Sequence, residues 1–364
     1  MSDDIPISIG ALDGAWLGRA LHEAGHDHPG IANITATPMA GIVGALGEVG
    51  VVEVDYSAPC SLPRSYVAKC LLDSDLARLY NQIMMPFIRE AGFYRDLARD
   101  VRMRVPQCYV NASDGTDRFM MLIEHVTPAV DGDILVGTSV DNMRKLAIDL
   151  GTLHGQYWMN PQLTTMPWVV DWSAPSYQMG IPLVQDAWGK FNDLEPGRIP
   201  DDLRSVVERT FVNDTLTWLM RYNERPWTFI HGDYELDNML FVDDEIIVLD
   251  WQLSGKSFPG QDLAFFLTAC ATDETVTAER ELLDAYRAAL AAAGGPSWTH
   301  DEVVEDMAVS MLYWIAGQTI TSMGETESYG DKAERMQRRF RKFMTGAIDG
   351  AMRWDTAGRL QKHL

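Results

Sequence analysis

The sequence is short of cysteine and of long apolar runs, and each shortage argues against a class of protein. Four of its 364 residues are cysteines, and they show no C-x-x-C pair or other metal-ligand spacing, so we expect reduced, mostly buried thiols. No apolar run approaches the roughly 18 residues of a membrane-spanning helix. The acidic first ten residues, MSDDIPISIG, do not resemble a signal peptide. We therefore expect a cytoplasmic protein that no membrane anchors.

Basic residues are also scarce. The chain has 30 lysines and arginines against 52 aspartates and glutamates, which gives a net charge of −22. Nucleic acids and anionic membranes repel such a chain, so neither is an expected partner. The charge is compatible with cationic substrates or metal ions, and also with an acidic, solvated surface that binds nothing.

The N-terminal third of the sequence is typical of a sheet crossed by helices. Residues 11–24 carry apolar side chains at helical spacing. A second helical pattern over residues 75–99 contains Pro86, which either kinks the helix or begins a new one. Five apolar segments bounded by turn residues have strand character. These segments are residues 33–39, 49–57, 65–72, 106–113 and 118–126.

From about residue 128 the pattern becomes mainly helical, with two clear helices over residues 142–158 and 203–223. A hairpin over residues 238–251 interrupts this series. The sequence therefore predicts an α+β protein of two domains. The smaller, sheet-containing lobe comprises residues 1–126, and the larger, helical lobe comprises residues 127–364.

The segment FIHGDYELDNMLF (residues 229–241) places three carboxylates and an asparagine beside apolar runs. Such a cluster usually has a cation or a reacting group as its partner, because burying unpaired charge is costly. In phosphoryl transfer, a carboxylate accepts the proton of the attacking hydroxyl and oxygen ligands hold Mg²⁺. Asp233 suits the first role, whereas Asn238 and Asp250, at the end of the next strand, suit the second.

HGDYELDN followed by VLDW resembles the catalytic loop and metal-binding aspartate of the aminoglycoside phosphotransferase and choline kinase superfamily. The stretches LDWQ and LHGQYW are most similar to its ecdysteroid kinase-like and acyl-CoA dehydrogenase-associated branches. The resemblance implies a bilobal, protein-kinase-like fold. It also implies that His231 shapes the loop and that Asp262, in GQDLAFFL, braces it. Glu235 and Asp237 do not match the position of the base, so we expect them to face solvent or substrate.

Lys69 lies in the apolar segment YVAKCLL, where an unpaired ammonium would be costly to bury. Kinases pair a strand lysine with phosphate oxygens and with a glutamate on the following helix. Glu90 matches that glutamate by resemblance, and an ion pair with Lys69 is the expected arrangement. The alternative is a lysine that reaches water from an edge strand.

Two further nucleotide contacts are expected. The stretch AGIVGALGEVG contains Gly41 and Gly44, whose backbone amides could cover phosphates, although a hairpin turn without a ligand is an alternative. By resemblance, the backbone of Glu124 and of Val126 contacts the adenine.

The acceptor is expected to be a small molecule. About a dozen residues separate Asp250 from the helix near Asp262, which leaves no room for the activation segment of a protein kinase. We therefore expect transfer from ATP, with Mg²⁺, to a hydroxyl of a small molecule and not to a protein. Two hypotheses of other classes remain: an idle nucleotide-binding scaffold, and a hydrolytic metal site without a nucleotide.

The charge of the acceptor stays open at this level. The segment from about residue 264 to 350 is expected to form much of the acceptor pocket, and it contains both aromatic and acidic residues. Aromatic lining would suit an apolar, hydroxylated acceptor, whereas an acidic lining would suit a cationic, aminoglycoside-like one. The acidic candidates are Glu302, Glu305 and Asp306.

Overall fold

The computed structural model consists of two compact units. Unit 1 comprises Met1–Val130 and Ile247–Leu253, and unit 2 comprises Asp131–Ile246 and Ser254–Leu364. The predicted domains, residues 1–126 and 127–364, stay a prediction. The structure describes residues 4–39, 47–115, 118–323 and 333–361.

Unit 1 is built on five strands, all of which the sequence predicts. They are β1 (Ile31–Pro38), β2 (Gly47–Tyr56), β3 (Ser65–Leu71), β4 (Cys108–Ser113) and β5 (Phe119–Glu124). All neighbours pair antiparallel, in the order β1–β2–β3–β5–β4. Lys69 therefore lies in a central strand, opposite Val49 of β2 and Met121 of β5. The alternative of an edge-strand lysine is wrong.

Successive side chains of β3 alternate between the apolar core and the opposite face of the sheet. Tyr66, Ala68 and Cys70 are fully buried, and they pack in one apolar cluster with residues of helix α1 (Gly14–Glu23). Because successive side chains of a strand point to opposite faces, Lys69 lies on the other face of the sheet.

The helical pattern over residues 75–99 forms two helices. Helix α2 (Asp75–Met84) ends at Met85, whose φ of 58° is left-handed, and helix α3 (Pro86–Asp96) begins at the proline. Pro86 fits the first position of a helix because it has no N–H to donate. The second helix carries Glu90 on a face that is almost wholly buried.

Unit 2 is mainly helical, as predicted. The predicted helix over 203–223 is divided by a π-helical turn at Glu208–Val212. None of the helices in the described residues combines the length and the apolar character that crossing a membrane requires. The helices are α4 (Val140–Gln156), α5 (Pro175–Met179), α6 (Ile181–Leu194), α7 (Asp201–Val207), α8 (Thr215–Asn223), α9 (Gly260–Ala269), α10 (Asp273–Thr277), α11 (Glu279–Ala292), α12 (His300–Met323), α13 (Ala333–Arg353) and α14 (Thr356–Gln361).

Short strands flank the polar motif. They are β6 (Val130–Asp131), β7 (Thr228–Ile230), β8 (Met239–Val242), β9 (Glu245–Val248) and β10 (Gly255–Ser257). β7 pairs antiparallel with β10 and leads directly into His231. β9 carries the chain out of unit 2 into the segment Ile247–Leu253 of unit 1.

The packing of α4 against α11 depends on two glycines. A Cβ at Gly151 would lie 2.4 Å from the Tyr286 carbonyl oxygen, and one at Gly155 would lie 2.3 Å from that of Leu290. Both distances are far below van der Waals contact, so the helices approach this closely only because these positions lack side chains. The approach brings His154 of α4 to Tyr286 of α11.

The four cysteines are free. Cys70 and Cys270 are buried, as expected, whereas Cys60 is exposed and Cys108 is partly exposed.

Candidate active site

Unit 1 places the Lys69 ammonium beside two carboxylates. Its Nζ lies 3.0 Å from Oε1 and 2.8 Å from Oε2 of Glu90, and 3.5 Å from Oδ1 of Asp250. Burial lowers the pKa of Lys69, but Asp250 and Glu90 raise it by more, so that the net shift is upward. The predicted Lys69–Glu90 pair is confirmed, and the same lysine contacts the expected metal-binding aspartate.

Asp250 has a strained backbone conformation. Its φ of 60° lies in the left-handed region, which is unusual for a residue other than glycine. The next residue, Trp251, is fully buried and stacks on Phe93 of α3, with ring centroids 3.8 Å apart and planes within 6°. Upstream, the Val248 N–H donates to the Arg104 carbonyl oxygen. The stacking of Trp251 on Phe93 holds the segment of Asp250 against α3, the helix that carries Glu90.

In unit 2, the loop after β7 is fixed by a buried carboxylate. Asp262 of α9 is fully buried, and it accepts hydrogen bonds from the His231 N–H at 2.6 Å and the Gly232 N–H at 2.8 Å. Gly232 has φ of +85°, a conformation that glycine adopts without strain. The expectation that Asp262 braces this loop is confirmed.

Two buried polar side chains, His154 and Tyr286, extend the hydrogen-bond network of Asp262. His154, from the stretch LHGQYW, has Nε2 3.5 Å from the Asp262 carboxylate and Nδ1 2.8 Å from the Tyr286 hydroxyl. All three side chains are completely buried. The bracing aspartate is therefore itself held in a fixed position.

Asp233 and Asn238 contact each other directly. Asn238 Nδ2 donates to the Asp233 carbonyl oxygen at 2.9 Å and to Asp233 Oδ2 at 3.0 Å. The Asp233 N–H donates to His231 Nδ1 at 3.2 Å, which gives the histidine its loop-shaping role. The loop thus fixes the orientation of the Asp233 carboxylate.

Glu235 does not face solvent, and Asp237 is only partly exposed. Glu235 is fully buried and pairs with Arg339 of α13, and Asp237 accepts from Arg335 of the same helix at 3.2 Å. Burial raises the pKa of Glu235, and the Arg339 guanidinium opposes that rise. A solvent-facing position was wrong for Glu235, because its countercharge, Arg339, lies about a hundred residues further along the chain.

The acids of α12 are also engaged. The buried Asp306 pairs with Arg225 at 2.5 Å and accepts the Gly260 N–H. Glu305 pairs with Arg359 at 3.2 Å. Glu302 accepts hydrogen bonds from the backbone and the hydroxyl of Thr299. Each of the three has a structural partner.

The structure describes two of the four residues that are expected to contact the nucleotide, Glu124 and Val126. The Glu124 N–H donates to the Gln107 carbonyl oxygen, and its carboxylate pairs with Arg104, so only its carbonyl oxygen is a candidate for the adenine. Val126 is partly exposed. Gly41 and Gly44 lie outside the residues that the structure describes.

Sequence reasoning missed the basic face of α13. Arg335, Arg339 and Lys342 are spaced so that they share one face of a helix. A signal was present, because ERMQRRFRKF is a basic cluster in a chain with a net charge of −22.

The fold is of the protein-kinase type. The chain resembles a candidate aminoglycoside phosphotransferase from Ralstonia eutropha with a TM-score of 0.54 and 16% identity, over 93% of this chain and 97% of that one. It resembles choline kinase from Cryptosporidium parvum with a TM-score of 0.51 and 13% identity, over 86% of this chain and 88% of that one. At these identities the likeness shows the fold alone.

The model of the phosphotransferase enzyme family matches residues 85–305, which is more than half of the sequence, and the chain belongs to that family. Over 55 residues it is 46% identical to acyl-CoA dehydrogenase family member 11 from Pongo abelii. That match covers 14% of this chain and 7% of the relative, and it agrees with the branch that the motifs resemble.

Proposed function

We propose that this phosphotransferase transfers the γ-phosphate of ATP to a hydroxyl group of a small molecule, with Mg²⁺. The observation that carries the proposal is the position of the Lys69 ammonium beside both Glu90 and Asp250. A lysine held by a glutamate and a metal-binding aspartate is the arrangement that kinases use on the phosphates of ATP.

Asp233 is the proposed base. It accepts the proton of the acceptor hydroxyl while the hydroxyl oxygen bonds to the γ-phosphorus. The bond between that phosphorus and the β–γ bridging oxygen breaks, and its electron pair leaves with ADP. Its carboxylate needs a fixed direction for this role, and the hydrogen bond from Asn238 at 3.0 Å supplies one. Lys69 positions the phosphates, and Glu90 keeps Lys69 in place. The backbone of Glu124 and Val126 is proposed to contact the adenine.

Asn238 and Asp250 are the proposed ligands of Mg²⁺. Both side-chain hydrogen bonds of Asn238 use its amide nitrogen, and no donor among the described residues contacts its carbonyl oxygen. The Asp250 carboxylate is 39% exposed, which leaves it accessible. Carboxylate and amide oxygens are the donors that Mg²⁺ prefers, so these residues fit the ion. When bound, Mg²⁺ would neutralise charge that develops on the transferred phosphoryl group.

We favour an acceptor without several positive charges. The carboxylates nearest to Asp233 in the chain, Glu235 and Asp237, are already paired with Arg339 and Arg335. The acids of α12 likewise have cationic or backbone partners. A polycationic acceptor would have to displace these pairs, at the cost of leaving arginines unpaired. A neutral, hydroxylated acceptor avoids that cost.

The test is an ADP-release screen with Mg·ATP over neutral alcohols, sterols, hydroxyacyl thioesters, choline and aminoglycosides. Release that depends on a neutral acceptor supports the proposal in full. Release only with aminoglycosides supports an antibiotic phosphotransferase instead. Tight Mg·ATP binding without release from any acceptor supports the idle scaffold.

Asp233→Ala is expected to keep nucleotide affinity while slowing turnover by about 10²–10⁴-fold, or about 3–5 kcal/mol of barrier. Asp250→Ala is expected to weaken Mg²⁺-dependent ATP binding in a calorimetric titration. Asp244→Ala, at an exposed turn carboxylate, is the control and should change neither quantity. Unchanged turnover in the Asp233 variant would remove that residue from the role of base.

A further inference from the structure

One face of α13 carries three cations, all of which bind the region around the catalytic loop. Arg339 pairs with Glu235, and Arg335 pairs with Asp133 at 3.0 Å as well as with Asp237. Lys342 donates to the Ile134 carbonyl oxygen. We call Arg335, Arg339 and Lys342 the α13 clamp.

Arg339 is the most deeply placed member of the clamp. Its guanidinium contacts Glu235 through one terminal nitrogen, and its Nε lies 3.4 Å from Oδ2 of Asp237. The guanidinium also stacks over the Phe343 ring, 4.9 Å from the ring centroid. A planar, multidentate cation can hold two carboxylates at once, which a lysine cannot do with the same geometry.

Glu235 connects this arginine to the expected base. Its Oε2 accepts the Asp237 N–H at 2.8 Å, and its backbone oxygen accepts the Asn238 N–H at 3.0 Å. These bonds begin the single helical turn Leu236–Asn238. Asn238 in turn holds the Asp233 carboxylate. The contacts therefore run without a gap from Arg339 through Glu235 and Asn238 to Asp233.

Without Arg339, the fully buried Glu235 would keep its hydrogen bond to Asp237 but lose its countercharge. A buried carboxylate that loses its cation either takes up a proton or moves toward water. Movement would release the turn that delivers Asn238, because the Glu235 carboxylate is the cap of that turn.

We propose that Arg339 is a positioning residue, which acts through Glu235 to fix the turn that orients Asp233. The catalytic half of this inference rests on the proposed function. The structural half, the order of the loop itself, does not.

Arg353 offers a matched control on the same helix. It pairs with Glu279 at 2.9 Å and lies over the Trp354 ring at 5.6 Å, so it also combines a glutamate partner with an aromatic face. Its partner lies at the start of α11, far along the chain from the loop. Arg353→Gln therefore removes an arginine anchor of α13 and leaves the Glu235 contact in place.

The first measurement is hydrogen exchange of peptides that cover residues 229–241. In Arg339→Gln we expect the Asp237 and Asn238 amides to exchange about tenfold faster, the equivalent of about one net hydrogen bond. In Arg353→Gln we expect the wild-type rate. Equal effects of the two variants would overturn the proposal, because α13 would then act only as a packed helix.

The second measurement is ADP release from Mg·ATP with water as the acceptor. Arg339→Gln is expected to lower kcat by about 10–100-fold at unchanged KM for Mg·ATP, the scale of a small displacement of a catalytic group. Arg353→Gln is expected to keep the wild-type kcat. A loss confined to KM would contradict a positioning role.

The double variant Glu235→Gln with Arg339→Gln distinguishes a loss of positioning from general misfolding of Arg339→Gln. A glutamine at 235 still accepts from the Asp237 N–H but needs no countercharge, so the double variant should regain part of the kcat and exchange protection that Arg339→Gln loses. A double variant as impaired as Arg339→Gln would refute the route through Glu235. If the wild type releases no ADP, the proposed function fails, and the exchange experiment alone decides whether the clamp orders the loop.

Discussion

Lys69→Met is a sharp test of the charge arrangement in unit 1. Methionine has a length close to that of lysine and suits an apolar central strand, so the change removes the ammonium with little change in shape. Glu90, which is 2% exposed, then loses its ion-pair partner. Asp250 is more exposed and can regain water.

The expected cost depends on pH. Removing one partner of a buried ion pair costs about 3–5 kcal/mol. Burial already raises the pKa of Glu90 above its ordinary value, and Lys69 opposes that shift. Without the lysine the pKa must rise further. A carboxyl whose pKa is higher in the folded state than in the unfolded one favours folding while it is protonated, and that advantage is lost as the pH rises toward the folded pKa.

The deficit of the variant should therefore grow with pH. Between the unfolded pKa of Glu90, near 4.5, and its raised folded pKa, the folded state holds one extra proton. Its stability then falls by about 1.4 kcal/mol per pH unit. In the wild type Lys69 opposes the rise of the Glu90 pKa, so the same slope should extend over a narrower pH interval.

The assay is hydrogen exchange of peptides from β3 and α3, corrected for the intrinsic effect of pH, because their protection reports the opening free energy of unit 1. Lys69→Met with Glu90→Gln should remove the pH dependence, since it leaves no carboxyl to titrate at that position. Lys145→Met, at an exposed pair with Asp244, is the control and should resemble the wild type. A loss in Lys69→Met that is the same at pH 5 and pH 7 would refute the reasoning.

Two further changes probe the supports of the expected catalytic residues. Trp251→Leu should destabilise unit 1 by about 2–4 kcal/mol, because it leaves a cavity and removes the stacking on Phe93. It should also weaken Mg·ATP binding in a calorimetric titration, and wild-type affinity would show that this stacking does not position Asp250. Asp262→Asn should lower kcat by about 10–100-fold at unchanged Mg·ATP affinity, because its amide group turns one of the two acceptors of loop N–H groups into a donor. Steady-state ADP release measures this, and a change in affinity alone would count against it.

The sequence was informative where local chemistry left few solutions. A lysine in an apolar strand requires a partner, and the resemblance to the family identified Glu90 as that partner. Pro86 allowed only a kink or a new helix start, and the structure has the second. The positions of five strands along the chain also followed from apolar segments and turn residues, because these signals lie within a few residues of each other.

The sequence was uninformative where partners are far apart in the chain. Glu235 and Arg339 are separated by 104 positions, and charged residues on a helix or in a loop face solvent by default. The basic cluster around Arg339 is visible in the sequence, but nothing in it indicates that Glu235 is fully buried and that Arg339 pairs with it. The division of the helix over residues 203–223 was missed for a related reason, since its apolar spacing continues through the π-helical turn.

Net charge and the charge around the catalytic loop are different quantities in this protein. The whole chain carries −22, which taken alone suggests a cationic acceptor. Around the loop, however, the carboxylates of Asp133, Glu235 and Asp237 are matched in number by the three cations of the α13 clamp, and Asp233 is the further carboxylate. In unit 1, by contrast, Glu90 and Asp250 share one lysine, which leaves a single negative charge in excess. That excess suits a divalent cation better than a polycationic acceptor, because Asp250 is the accessible carboxylate of the pair.

The other acidic residues of the chain do not replace an acidic pocket. Salt screens the interaction between exposed charges that are more than about 8–10 Å apart, so distant carboxylates attract a bound acceptor only weakly. The choice of acceptor should therefore follow the charges around the loop rather than the charge of the whole molecule.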